Sequence, residues 1–244
     1  MAGIQVKNLT KKFDDLLVLD NISFEVKDHD FMCIVGPTGC GKTTFLNSLT
    51  KLYDITSGEI LVDGEPVDLQ KHNIAYIFQE KSSMPWLTVE QNIAFGLEIK
   101  HVDKHTRKQR VEEMMEIVGL SAYRNYYPSQ LSSSMLQRIA IARAFATKPD
   151  LLLMDEPYGQ LDVELRFKLE DELINLWKTT GTTVIFITHN IEESIYLAEK
   201  ILVLTNKPTS VRELVEDDLP RPRDIADKRF VELRNRVTDL IKWW

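Results

Sequence analysis

The chain has 244 residues, of which 43% are hydrophobic and 27% charged, a balance typical of a globular protein with a large core. Its formal net charge of −7 disfavours a dedicated nucleic-acid-binding protein, because such a protein needs a basic face to neutralise phosphates. The sequence contains no apolar run near the roughly 18 residues of a membrane span and no basic-then-apolar leader. Cys33 and Cys40 have neither CxxC nor zinc-ligand spacing, so we expect two reduced thiols in a cytoplasmic protein.

The N-terminal segments predict an antiparallel β flap at the edge of the domain. Residues 4–13 and 17–26 mix polar and apolar side chains, as half-buried strands do. Residues 58–67 carry Asp63-Gly64 between apolar runs, and this dipeptide strongly favours a two-residue hairpin turn.

Unbroken apolar runs predict a second kind of strand, one that is buried on both faces in a parallel sheet covered by helices. These runs are residues 31–35, 74–78, 151–154, 184–187 and 201–204. The sequence therefore predicts an α/β core in which helices separate the parallel strands.

Helical patterns fill the segments between these strands. Apolar residues recur at helical spacing over residues 111–118, and Gly119 then marks a helix end. Leucines line one face of residues 165–176 in the same way. Residues 86–146 are helical in pattern with no strand run, which predicts a helical lobe inserted into the α/β core. After the last apolar run, a charged and proline-containing stretch leads to a helix-like tail over residues 227–244.

A phosphate-binding loop is the strongest motif in the sequence. The pattern G-x-x-x-x-G-K-[ST] is matched by Gly36, Pro37, Thr38, Gly39, Cys40, Gly41, Lys42 and Thr43. It follows a predicted strand and precedes a helix-compatible segment, and its glycines let backbone N–H groups approach phosphate oxygens. Lys42 is expected to reach the β- and γ-phosphates of a nucleotide, and the Thr43 hydroxyl to ligate Mg²⁺. We expect the backbone amides up to Thr44 to join this nest.

A strand that ends in two carboxylates is the second motif. Asp155 and Glu156 follow the apolar run 151–154, and the carboxyl end of a parallel strand is where such folds bind their ligands. Asp155 is expected to hold Mg²⁺, directly or through water, and Glu156 to polarise the attacking water as a general base. The alternative is a solvated acidic loop, which the accompanying phosphate-binding loop disfavours.

Further segments resemble those of the ATP-binding subunit of ABC transporters, and they occur in the family's order within residues 4–205. By this resemblance, the Q-loop is Ile77-Phe78-Gln79-Glu80, and the signature segment is Leu131-Ser132-Ser133-Ser134-Met135-Leu136-Gln137-Arg138. The Walker B end is Asp155-Glu156-Pro157, and the D-loop is Gly159-Gln160-Leu161-Asp162. The switch histidine lies in Thr188-His189-Asn190. As a set these segments are highly specific, although each of them apart from the phosphate-binding loop is weak alone.

The resemblance implies roles for individual residues. Phe13 would stack on adenine, the alternative being a core phenylalanine at a strand edge. Gln79 would contact Mg²⁺ or the attacking water and sense a membrane partner. His189 would contact the γ-phosphate and help to hold the attacking water. Asp162 would act across a dimer of two such chains.

The signature segment departs from the family pattern. In the family, two glycines follow the signature serine and bring backbone amides close to the γ-phosphate held by the opposite subunit. Here Ser133 and Ser134 follow Ser132 instead. One hypothesis is that Ser132 still caps the following helix and the two serines are tolerated. The other is that their side chains crowd the phosphate or strain the turn, which would weaken dimer closure and slow hydrolysis.

For the whole chain, the resemblance implies an α/β fold of the P-loop NTPase (ABC ATPase) type, with an antiparallel β subdomain and an inserted α-helical subdomain. The expected α/β core with its flap comprises residues 1–80 and 147–205, the helical subdomain residues 81–146, and a C-terminal extension residues 206–244. Two chains would pack head to tail and enclose two molecules of ATP with Mg²⁺ between each phosphate-binding loop and the partner's signature.

The implied function is ATP binding and hydrolysis that powers an importer. Residues 84–93 and 219–224 are similar to the subgroup that takes up nitrate, taurine, other sulfonates and related small molecules. The expected partners are a second ATPase subunit, identical or different, a membrane permease that docks near Trp86 and, indirectly, a solute-binding protein, with no nucleic acid. The subunit would be cytoplasmic and peripheral on the inner face of the membrane. The alternatives are a hydrolysis-impaired subunit paired with a competent one, and a cassette ATPase that works without a permease.

Overall fold

The computed structural model describes residues 3–79, 82–159, 161 and 163–241. Its strands are, in chain order, β1 (Ile4–Phe13), β2 (Leu16–Val26), β3 (Phe31–Val35), β4 (Ser57–Val62), β5 (Glu65–Pro66), β6 (Ile74–Ile77), β7 (Leu151–Asp155), β8 (Thr183–Ile187), β9 (Lys200–Leu204) and β10 (Val211–Glu216). Its α-helices are α1 (Lys42–Leu49), α2 (Val89–Ile99), α3 (Lys104–Ile117), α4 (Ser133–Ala146), α5 (Val163–Thr180), α6 (Ile191–Leu197) and α7 (Lys228–Ile241).

The predicted antiparallel flap is a four-stranded sheet in the order β2-β1-β4-β5. The expected hairpin turn joins β4 to β5, with Val62 opposite Glu65 and two residues between them. Asp63 and Gly64 both have positive φ, 54° and 78°, and this turn conformation matches the twist of the strands it connects. Asp63-Gly64 is a favoured pair there because Gly64 carries no Cβ to oppose the left-handed backbone.

The second sheet has six strands in the order β10-β9-β3-β8-β7-β6. The pairs from β9 to β6 are parallel, and every residue of β3, β7 and β8 is buried, as their unbroken apolar runs predict. Since these strands run in one direction, the segments that follow β3, β6, β7, β8 and β9 meet at the same edge of the sheet.

Two elements differ from the expectation. The strand predicted over residues 74–78 ends at Ile77, and the Phe78 side chain is exposed instead of buried. The stretch after residue 204 contains a strand that the sequence analysis missed, β10, which pairs antiparallel with β9. Val215 is the one fully buried residue of this short edge strand, whose apolar residues neither alternate nor form an unbroken run, so its pattern is too weak to predict a strand.

The predicted helical lobe consists of α2, α3 and α4. Thr88 caps α2 in a capping box with Gln91, and Asp103 caps α3 by accepting hydrogen bonds from two backbone amides. Gly119, with φ at 66°, follows the end of α3 as the sequence predicts. The inward faces of these helices join one apolar core with the parallel sheet, which fixes the lobe against it.

The C-terminal extension ends in α7, which buries Phe230 and Val237. The tail helix predicted over residues 227–244 therefore forms, and its last three residues lie outside the described part of the chain. No helix within the described ranges is both long and apolar enough to cross a bilayer.

Candidate functional site

The phosphate-binding loop connects the buried strand β3 to α1. At Gly41, φ is 116° and an added Cβ would lie 2.9 Å from the Cγ1 of Val18, so both the backbone conformation and the packing require glycine. The first turn of α1 carries no acidic side chain, and its positive dipole end faces the loop without a neutralising charge. This is the local geometry that binds an anion at a helix N-terminus.

Lys42 is held against its own loop. Its Nζ donates to the carbonyl oxygens of Gly36 at 2.9 Å and of Pro37 at 3.1 Å, and the residue is only 6% exposed. The Cys40 side chain turns into the apolar core on the other side of the loop. Within the predicted loop, Gly36 and Pro37 therefore position the Lys42 side chain. Other residues of the loop face the cleft.

A cleft of about 320 Å³ opens beside this loop. Predicted residues from three segments line it, together with one residue that the sequence analysis missed: Thr38, Gly39, Gly41, Lys42, Thr43, Thr44, Gln79, Glu156 and Lys207. The missed residue, Lys207, follows β9. Its only sequence signal is its place just after an apolar run, which no motif marks.

Asp155 lies at the floor of this edge and is 2% exposed. Burial raises the pKa of its carboxyl, and the nearby Thr43 hydroxyl opposes that rise. Its Oδ2 accepts a long hydrogen bond of 3.5 Å from the Tyr76 hydroxyl, whereas no partner among the described residues satisfies the buried Oδ1. A buried carboxylate with an unsatisfied oxygen beside a hydroxyl is a set of hard oxygen donors that suits Mg²⁺.

The described residues contain no cluster of three or more His, Cys, Asp or Glu side chains that could hold a metal ion unaided. An ion at Asp155 and Thr43 would therefore need ligands from phosphate and water, which is the usual coordination of Mg²⁺ in nucleotide sites. The residues present fit the ion in that arrangement.

Glu156 contacts two other predicted site residues, Gln79 and His189. Its Oε2 accepts a hydrogen bond from the Nε2 of Gln79 at 3.3 Å and lies 3.0 Å from the Nδ1 of His189. These residues follow β7, β6 and β8, so the parallel sheet explains their meeting. Glu156 itself has φ at 45°, a left-handed conformation that costs a non-glycine residue about 1 kcal/mol.

The signature segment lies on the other side of this cluster. Ser133 and Gln137 line a small cavity of about 110 Å³ with Gln79, Glu156 and His189. Ser132 caps α4 through a weak hydrogen bond from the Met135 amide, 3.4 Å long, as the first hypothesis for this segment expects. Ser133 and Ser134 lie in the first turn of the helix and have no positive φ, so their backbone is unstrained.

Phe13, predicted to stack on adenine, does not line the cleft. Phe13 is exposed at the end of β1, where its ring packs edge-on against Tyr53 at 5.3 Å and beneath the Nζ of Lys11 at 4.5 Å. It is therefore not the core residue of the alternative interpretation, and stacking on adenine stays a prediction. Asp162, predicted to act across a dimer, lies outside the described residues.

Known proteins are similar to this chain in sequence and in architecture. The profile of the ABC transporter family matches residues 19–159. An uncharacterised ABC transporter ATP-binding protein of Methanocaldococcus jannaschii is 40% identical over 243 residues, 98% of this chain and 91% of that protein. The aliphatic sulfonates import ATP-binding protein SsuB of Bacillus cereus is 42% identical over 231 residues, 95% of this chain and 91% of the relative.

A solved structure is similar in the same way. It is a dimeric ATP-binding cassette in a post-hydrolysis state, bound to ADP and phosphate, and it superposes with a TM-score of 0.78 at 29% identity. The match covers 89% of this chain and all of that one. Together with the family profile and the relatives, this similarity shows that the chain belongs to the ABC transporter family as one of its ATP-binding, ATP-hydrolysing subunits.

Proposed function

We propose that this chain powers an importer for a small solute of the nitrate, sulfonate and taurine class, through ATP-driven closure of a dimer. One observation carries the ATPase part: Gln79 and Glu156 line the same cleft as the phosphate-binding loop, and His189 contacts the Glu156 carboxylate. The solute class rests on the 42% identity to a sulfonate importer subunit and on residues 84–93 and 219–224.

Binding of ATP would use the groups that already converge on the loop. Backbone amides of the loop and α1 would donate hydrogen bonds to the phosphate oxygens, with Lys42 as counter-ion. Thr43, Asp155 and Gln79 would hold Mg²⁺, which when bound supplies charge neutralisation to the phosphates. The unsatisfied buried Oδ1 of Asp155 supports this assignment.

Hydrolysis would transfer the γ-phosphoryl group to water without a covalent intermediate. Glu156 would accept the proton of the attacking water, because its carboxylate lies at the cleft beside the groups that hold it in place. Gln79 and His189 would orient that carboxylate and the water. Lys42 and the loop amides would stabilise the charge of the transition state.

Dimer closure would place the signature of one chain over the ATP of the other. The dimeric cassette bound to ADP and phosphate supports this arrangement. ATP would bridge the two chains, and its hydrolysis would remove the bridge and open the pair. A hydrolysis-impaired subunit paired with a competent one remains the second candidate, since Ser133, which stands where the family has a glycine, lines the cavity beside Glu156 and His189.

A groove on the helical lobe would take a helix of a membrane permease. Its lining includes Phe78, Met84, Phe95 and Ile99, and Trp86 nearby is 72% exposed. Large exposed apolar side chains of this kind are typical of a protein interface. The permease would keep the subunit on the inner face of the membrane and connect it indirectly to a solute-binding protein. The net charge of −7 argues against nucleic acid as a partner.

The proposal is tested on the assembly that this chain forms in its own cells. The tagged chain is purified from detergent-extracted membranes, the accompanying polypeptides are identified, and ATP hydrolysis is measured with nitrate, taurine and an alkanesulfonate. We expect a hydrophobic permease and stimulation by one of these solutes. Recovery of the chain without any membrane protein would support the permease-free alternative. A bound permease without stimulation by any of the three solutes would reject the solute class alone.

A further inference from the structure

We propose that Lys207 is a second phosphate-binding cation of the nucleotide cleft, acting in the same chain as Lys42. This inference rests on the proposed nucleotide site and adds to it a residue from a segment that carries none of the family's motifs. Lys207 lines the cleft together with six residues of the phosphate-binding loop and α1, all between residues 38 and 44.

The sheet order explains why a residue so distant in sequence reaches this cleft. β9 is the parallel neighbour of β3, with Val203 beside Val35 at the end of the strand. The segment that leaves β9 therefore runs beside the segment that leaves β3, and the latter is the phosphate-binding loop. Lys207 comes three residues after the last residue of β9.

Hydrogen bonds fix the backbone that carries Lys207. Thr205 donates its amide to Ser210 at 3.0 Å, which closes a short loop around the lysine. Thr209 is fully buried and forms two hydrogen bonds with β2. Its amide donates to the carbonyl oxygen of Val18 at 2.9 Å, and its carbonyl oxygen accepts from the amide of Asp20 at 2.8 Å. Its hydroxyl donates to the carbonyl of Cys40 within the phosphate-binding loop. The segment that carries Lys207 is thus hydrogen-bonded to the phosphate-binding loop, whose ligand Lys207 would bind.

The charges around the cleft favour this assignment. Among the described residues that line it, Lys42 and Lys207 are the cations and Glu156 is the carboxylate. Burial raises the pKa of the Cys40 thiol, and the positive charges of Lys42 and Lys207 both oppose that rise, so both ammonium groups act on the same loop. The Lys42 ammonium donates to two carbonyls of its own loop, whereas Lys207 forms no ion pair with any described carboxylate. A free, exposed ammonium at a phosphate site adds attraction that salt weakens.

The test measures equilibrium binding of MgATP to the full chain and to Lys207→Gln, Lys207→Arg and Lys42→Ala. We expect about fivefold to tenfold weaker binding in Lys207→Gln, near-native binding in Lys207→Arg, and a smaller dependence on salt in the glutamine variant. Magnesium tripolyphosphate, used as a competitor, should lose affinity by the same factor, because it has the phosphates without the base. Lys178→Gln is the matched control, since Lys178 lies in the last turn of α5, before β8 begins, and thus at the opposite edge of the sheet.

Each outcome separates this inference from the function on which it rests. Native affinity in Lys207→Gln, with binding lost in Lys42→Ala, would overturn the role of Lys207 and leave the nucleotide site intact. Weaker ATP binding with unchanged tripolyphosphate competition would place Lys207 at the base or ribose and would also overturn it. Absence of nucleotide binding by the native chain would overturn the proposed function and this inference together.

Discussion

The imidazole of His189 lies against the carboxylate of Glu156, with Nδ1 3.0 Å from Oε2. In the tautomer with the proton on Nδ1, the ring donates to this carboxylate and leaves Nε2 as an acceptor. The side chain of Glu156 is mostly buried and also contacts Gln79. These contacts fix the position of the Glu156 carboxylate at the cleft, as its proposed role of general base requires.

Replacement of Glu156 by glutamine tests this role. We expect Glu156→Gln to lower ATP turnover at least about a hundredfold, which is the usual contribution of a general base, and to retain MgATP binding. Steady-state phosphate release and equilibrium binding measure the two effects. Asp171→Asn is a control, since Asp171 bonds the Tyr196 hydroxyl on α6 outside the cleft. Native turnover in Glu156→Gln would assign proton acceptance to another group.

Replacement of Ser133 and Ser134 by glycine tests the unusual signature. Their backbone is helical and unstrained, so the serines are compatible with the segment as it stands. We expect the double variant to hydrolyse ATP at the native rate and to be less stable by about 1 kcal/mol, because glycine lowers helix stability. ATPase assays and urea unfolding check both. A several-fold faster variant would instead show that the serine side chains obstruct closure.

Arg223 gives residues 219–224 a structural role that their similarity to a subgroup did not indicate. Its guanidinium is buried, donates to the carbonyls of Ile195 and Ala198 at the end of α6, and pairs with buried Asp217 at 3.2 Å. Removal of one partner of a buried ion pair leaves the other charge uncompensated. The segment therefore fastens the C-terminal extension to α6.

We expect Arg223→Met to lower the free energy of unfolding by about 3 kcal/mol. Arg229→Met is the matched control, because Arg229 pairs with an exposed carboxylate, Asp218, and should change stability by less than about 1 kcal/mol. Urea unfolding of both variants measures the difference. Equal stability of the two variants would contradict a structural role for the buried arginine.

A buried pair of carboxyl groups predicts a pH dependence of stability. Burial, and then the neighbouring Glu193, raise the pKa of Glu170 from 4.5 to about 8, against the opposing charge of Arg166. The folded chain thus binds a proton more tightly than the unfolded chain does. The stability contributed by this proton is present below pH 4.5 and is lost as the pH rises from 4.5 through about 8.

Glu170→Gln removes that titration while it keeps the shape of the side chain. We expect the variant to gain stability relative to the native chain by about 3–4 kcal/mol between pH 5 and pH 8. Urea unfolding at the two pH values measures the change. A constant difference between the two proteins at both values would show that Glu170 does not titrate in this range.

Local patterns allowed much of the fold to be predicted from the sequence. The runs 31–35 and 184–187 are strands because a segment that is apolar at every position can only be buried on both faces. The turn at Asp63-Gly64 formed because its residues themselves prefer the required φ. The phosphate-binding loop was found in the same way, since all of its chemistry lies within one short segment.

The tertiary structure alone decided which distant residues meet. The order of the strands brings Gln79 and His189, which are distant in sequence, to the carboxylate of Glu156. The same order puts Lys207 beside the phosphate-binding loop, although no motif marks it. Propensity and spacing act over a few residues, whereas neighbours in a parallel sheet are set by the packing of the whole core, and no local pattern contains that information.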